Sequence, residues 1–146
     1  MKNRNLPHSD NWATPLYVYD ELNERFHFDF DPCPIEHDVS KWNGLEVEWG
    51  TSNFVNPPYS VDLKKKFVLK AVEEKNKGKL CVLLLPVSTS TRLFHDVILQ
   101  NITEPIRFWK GRIKFKGYDS WGNFVTNKSP MHDSMIVVFD GRNKNI

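Results

Sequence analysis

The chain has 146 residues, 40% of them hydrophobic and 13% aromatic, with 20 basic against 18 acidic side chains. That is the size of one ordinary domain with enough apolar surface for a core, so residues 1–146 read as one unit and disorder is excluded. A formal charge of +2 names no partner; two cysteines make no disulfide framework; and "LCVLLLPV" is too short to cross a bilayer, so a reducing, cytoplasmic setting without membrane contact is expected.

Met1 to Asn11 is polar and reads as a flexible, lid-like lead-in. Thr14 followed by Pro15 is a helix-start signal, a hydroxyl cap before proline at the first helical position. The helix is expected to run to Phe26, with Val18, Leu22 and Phe26 stacked on one face. "FHFDFD", Phe26 to Asp31, alternates apolar and polar and predicts a strand ending on Asp31-Pro32. Ile35 to Trp49 has isolated hydrophobes and no period. "SNFV" predicts a strand that stops at Asn56. Leu63 to Asn76 predicts a helix packing through Phe67, Leu69, Ala71 and Val72, with Gly78 at its C-terminal cap. "KLCVLLLP" reads as a strand buried on both faces. Thr91 to Leu99 predicts a short helix, "PIRFWKGRIKF" a strand broken near Gly111, and "SMIVVFD" a last strand. Together these predict an α/β fold, a mostly parallel sheet with an antiparallel terminal hairpin at its edge.

Charge is unevenly spread. Lys64, Lys65, Lys66 and Lys70, then Lys75, Lys77 and Lys79, read as solvated helix faces. Lys110, Arg112, Lys114 and Lys116 alternate with other residues, which would put them on one strand face. His27, His37, His95 and His132 with Cys33 match no zinc spacing, so no metal is expected. Of the five tryptophans, Trp12 and Trp109 are the candidates for stacking on bases, and the others for packing.

Three predicted strands end in unusual residues: Asp31-Pro32-Cys33-Pro34, Asn56-Pro57-Pro58-Tyr59, and Pro86 before a Ser/Thr run. In a parallel sheet such ends share one edge, where ligands bind. The Asn56 amide and the Pro57 carbonyl offer two acceptors side by side, and Tyr59 offers a ring. That set suits an exocyclic amino group on a planar base, held by position and electrostatics without a strong base.

From "DNWATPLYVYDELNERFHFDFDPCP" through "NGLEVEW", "FVNPPYS", "LLLPVSTSTRLFH" and "FWKGRIKF" to "SMIVVF", the chain resembles the phage-type DNA N6-adenine methyltransferases. The resemblance implies a Rossmann-like methyltransferase fold, S-adenosylmethionine as cofactor and DNA as partner, with a dimer as one option for recognition. It implies that Asn56, Pro57, Pro58 and Tyr59 form the catalytic motif. It further implies that Thr14, Pro15, Asp31, Pro32, Cys33 and Asn43 line the cofactor site, and that Lys110, Arg112, Lys114 and Phe115 meet DNA and the flipped base. The glycine-rich loop common in methyltransferases is absent from "DPCPIEHD", and no separate recognition domain is expected. An RNA or protein-amide substrate, or a non-catalytic DNA-binding module, are the alternatives.

Overall fold

The computed structural model describes residues 13–33, 43–58, 60–118, 123–128 and 132–142; the predicted lead-in at 1–11, Trp12, Pro34 and Tyr59 lie outside them. The centre of the fold is β2 (Leu80–Pro86), in which every residue from Leu80 to Leu85 is buried, as its unbroken apolar run requires. It pairs in parallel with β1 (Ser52–Val55) and antiparallel with β6 (Ser134–Asp140). The short β3 (Arg107–Phe108) completes that sheet antiparallel to β6, giving the order β1-β2-β6-β3. A second sheet joins β4 (Phe115–Tyr118) and β5 (Phe124–Lys128), and Gly111, at φ +81°, lies in the break between β3 and β4.

The sheet is therefore mixed, and mostly antiparallel where a mostly parallel one is expected from sequence. The reason lies in β6. Its residues from Ser134 to Phe139 are as buried as those of β2, so it needs a partner on each side and takes an interior place. The two residues of β3 are exposed and suit the edge.

Alternate residues of β2 face opposite layers. Leu80, Val82 and Leu84 join α1 (Leu16–Phe26) through Val18, Leu22 and Phe26, the stripe its spacing predicts. Cys81, Leu83 and Leu85 join α2 (Val61–Asn76) and the π-helix Leu93–Ile98, which is continued by α3 (Leu99–Asn101). The predicted short helix at Thr91–Leu99 thus forms, with a wider turn than expected. On α2 the buried set is Phe67, Val68, Ala71 and Glu74, whereas Leu69, expected in the core, is 44% exposed. Gly78 ends that region at φ +94°, donating its N–H to the Lys75 carbonyl at 2.9 Å.

The strand predicted over Phe26–Asp31 is shorter than its alternation suggests. α1 absorbs Phe26, His27 turns into the left-handed region at φ 51°, and the Asn23 side-chain oxygen accepts the Phe28 N–H at 2.7 Å. Only Phe30 then bridges in parallel to Asn53, with the Asp29 N–H donating to the Ser52 carbonyl at 2.8 Å. This short segment extends the parallel group beyond β1, so Asp31, Asn56 and Pro86 all end on one edge. No described helix is long and apolar enough to cross a membrane.

Candidate active site

Asn56 follows β1 directly and is 5% exposed. Its Nδ2 donates to the Thr14 hydroxyl at 3.0 Å. Thr14 is brought there by its neighbours: Ala13 pairs antiparallel with Lys116 through two backbone hydrogen bonds, and Pro15 opens α1. Here the sequence reading of a Thr14 cap is corrected. Pro15 holds the cap position without a side-chain cap bond, and the Thr14 hydroxyl serves Asn56 instead. An amide whose nitrogen is tied in this way has its oxygen fixed on the opposite side. Pro57 is buried and Pro58 half-buried, so the backbone beyond Asn56 is rigid.

One strand away, the Asp31 carboxylate accepts the Cys33 N–H at 2.8 Å, a local turn that aims the Asp31-Pro32-Cys33 segment. Burial, and then the Asp31 charge, push the Cys33 thiol well above the ordinary cysteine range, so Cys33 packs and does not act as a nucleophile. Tyr19, which the sequence reading missed, belongs to this neighbourhood. Partial burial and then the charges of Asp31 and Asp20 raise its phenol, and its ring meets Phe54 edge-on at 5.2 Å. The signal for it was available, since Tyr19 follows Val18 on a helix that begins beside Thr14.

Asn43 closes a turn: its side-chain oxygen accepts the Leu45 N–H at 2.9 Å and its carbonyl the Glu46 N–H at 2.9 Å. The turn rests on the Asp31 segment at Gly44, where a Cβ would stand 1.9 Å from the Pro32 carbonyl oxygen. Only glycine permits that approach. The Trp49 indole N–H then donates to the Gly44 carbonyl at 2.8 Å and fixes the turn from behind. Trp49 is in turn held by Glu74, a fully buried carboxylate that also takes Lys79 at 2.7 Å, Lys77 at 2.9 Å and Lys70 at 3.2 Å. Nothing in a lysine-rich helix announced this network.

The predicted DNA-facing stretch divides in two. Lys110, Arg112 and Lys114 are exposed, and Arg112 lies 3.6 Å from Asp133. Phe115, expected to face a base, is 2% exposed and packs with Ile113 in the α1-side core, so its ring is not presented to a ligand. Alternation along Arg112–Lys116 is retained, but its apolar face is the core. Trp109 is half-buried, with the Arg107 guanidinium 4.6 Å above its ring.

Thr14 and Asn56 are thus in contact, and Pro32 and Gly44 approach within van der Waals reach, while Lys110–Lys114 form a separate exposed stretch. A buried amide, a carboxylate at a strand edge and a glycine-backed turn could together hold a ligand with an amino-acid end and a planar ring. Among the described residues, no cluster of His, Cys, Asp or Glu is arranged to hold a metal ion.

A family model described as "DNA N-6-adenine-methyltransferase (Dam)" matches residues 2–144. A protein of Haemophilus phage HP1, named DNA N-6-adenine-methyltransferase, is 32% identical over 142 residues, covering 90% of this chain and 79% of the phage protein. No solved structure matches.

Proposed function

We infer the working of the site from one fact: the chain belongs to the DNA N-6-adenine-methyltransferase (Dam) family, and it methylates adenine in DNA at N6. The family implies a methyl donor, which we propose is S-adenosylmethionine. When bound, it supplies an electrophilic methyl group on a sulfonium. We assign its holding to Thr14, Pro15, Asp31, Pro32, Cys33 and Asn43, with the Asp31 carboxylate suited to an ammonium group and the glycine-backed turn to a flat ring. The parallel group of Phe30, β1 and β2, with α1 on one face and α2 on the other, is consistent with a reduced Rossmann-like, single-domain fold.

The observation that carries this reading is the hydrogen bond from Asn56 Nδ2 to Thr14 Oγ1. It ties the motif proposed to grip the target amine to the segment proposed to hold the donor. The adenine leaves the stack to reach a buried amide. Asn56 Oδ1 and the Pro57 carbonyl accept the two amino hydrogens, which favours a pyramidal nitrogen whose lone pair is withdrawn from conjugation with the ring. The Tyr59 ring and Pro58 confine the base, and no carboxylate base is needed because the methylated, cationic amine sheds its proton to solvent after transfer. Lys110, Arg112 and Lys114 contact the DNA backbone. Acting on phage DNA would place the protein in the host cytoplasm.

The test is methyl transfer from labelled S-adenosylmethionine to unmethylated DNA, RNA and protein in parallel, read by nucleoside mass spectrometry. N6-methyladenine in DNA, abolished by Asn56→Ala while cofactor binding persists, is the expected result. Wild-type turnover in Asn56→Ala would overturn the assignment.

A further inference from the structure

A cavity of about 660 Å³ opens between the first turns of α2 and the π-helix, reaching Pro86 at the end of β2. Its volume is in the range of sites that hold a nucleotide-sized ligand, roughly 300–1,000 Å³. None of the residues assigned to the donor or to the target amine lines it. It nevertheless begins at Val61, five residues beyond Asn56, and shares the sheet edge on which Asn56 ends.

Its charges are unbalanced. Lys64, Lys65 and Arg92 line it, against a single acidic residue, Asp96. Among the described residues no carboxylate lies within ion-pair distance of Lys64, Lys65 or Arg92. Farther along, Lys70, Lys77 and Lys79 all have such partners. Lys64 is half-buried, and burial alone lowers its ammonium, with no anion to offset the loss of water. Such a group is stabilised by an arriving anion. The apolar walls, Leu93 and Val97, suit a sugar or base beside that anion.

We propose that this cavity seats a nucleotide of the DNA strand next to the target adenine, with Lys64 and Arg92 neutralising its phosphate. The proposal rests on the DNA-methyltransferase reading above and adds a second contact surface to the Lys110–Lys114 stretch. It gives the half-buried Lys64 a ligand-facing role beyond the solvated face that the sequence suggests, whereas Lys65 is exposed.

The test is fluorescence anisotropy with a fluorescein-labelled, adenine-containing duplex across a series of salt concentrations. Each lost phosphate contact lowers the slope of log affinity against log salt by about 0.9, which is about eightfold in affinity at 0.1 M relative to a 1 M reference. Lys64→Gln and Arg92→Gln are each expected to show that change, with cofactor affinity and melting temperature unaltered. Lys66→Gln, exposed on the same helix but outside the cavity, is expected to change the slope by less than half as much. Wild-type slopes in both cavity variants, or an equal loss in Lys66→Gln, would overturn the proposal. If either glutamine variant does not fold, Lys64→Met and Arg92→Lys carry the same comparison, with a lost slope expected only in the first. Wild-type slopes alongside an inactive Asn56→Ala would sink this inference and leave the catalytic assignment standing. Flattened slopes alongside an active Asn56→Ala would do the reverse.

Discussion

Replacing Glu74 with glutamine removes one negative charge from the interior and keeps the shape and the acceptor for the Trp49 N–H. The carboxylate is fully buried, and burial alone would push it up. Hydrogen bonds from Lys79, Lys77, the Trp49 N–H and Lys70 outweigh burial and hold it at about 2, against an ordinary 4.5. That difference corresponds to about 3 kcal/mol of folding stability at neutral pH. Lys77 is 42% exposed and screened by solvent, so about 2 kcal/mol is the expected loss in Glu74→Gln. The sign follows from a lowered folded value: the contribution is fully present above pH 4.5 and disappears as pH falls toward 2. Urea denaturation of wild type and variant at pH 7, 4 and 3 should show a gap that is widest at pH 7 and narrows with acid. Other carboxylates titrate in both proteins and cancel in the difference. A gap that is absent, or constant with pH, would refute the charge-based account.

Thr14→Val removes the acceptor that the Thr14 hydroxyl offers to Asn56 Nδ2 and loosens the tie between the two segments. We expect kcat to fall roughly ten- to a hundredfold with little change in DNA affinity, and Thr14→Ser to restore most of it, measured by steady-state kinetics. Phe115→Ala empties a core position and should cost about 3–5 kcal/mol in urea denaturation. Phe115→Leu should fold and methylate near the wild-type rate; a large activity loss in a stably folded Phe115→Leu would revive the base-contact role.

Sequence pattern alone located α1, because three apolar residues at helical spacing leave few other arrangements, and located β2, because an unbroken apolar run of strand length has to be covered on both faces. It also placed Asp31, Asn56 and Pro86 at segment ends that share one edge. What it could not supply was partner choice. The unbroken apolar run of β6 says how buried the strand is, not which strands it pairs with or in which direction, and hence not whether the sheet is chiefly parallel. Thr14 satisfied a helix-start rule so well that its tertiary use was hidden. Glu74 sits among lysines that satisfy a surface pattern, and only the folded chain shows a buried anion in their midst.

The interior place of β6 has a consequence for how the chain is made. β2 is covered on its second edge only when β6 pairs with it, and the step from Pro86 to Ser134 is 48 residues. At a synthesis rate of about 5–20 residues per second, an apolar, charge-free strand waits some 2–10 seconds with its hydrogen-bonding edge open. Such an edge is a template for pairing with another nascent chain. Crowded polysomes, rather than heat, would then be where this protein is most easily lost, and yield should respond to chaperone supply more than to core-strengthening substitutions.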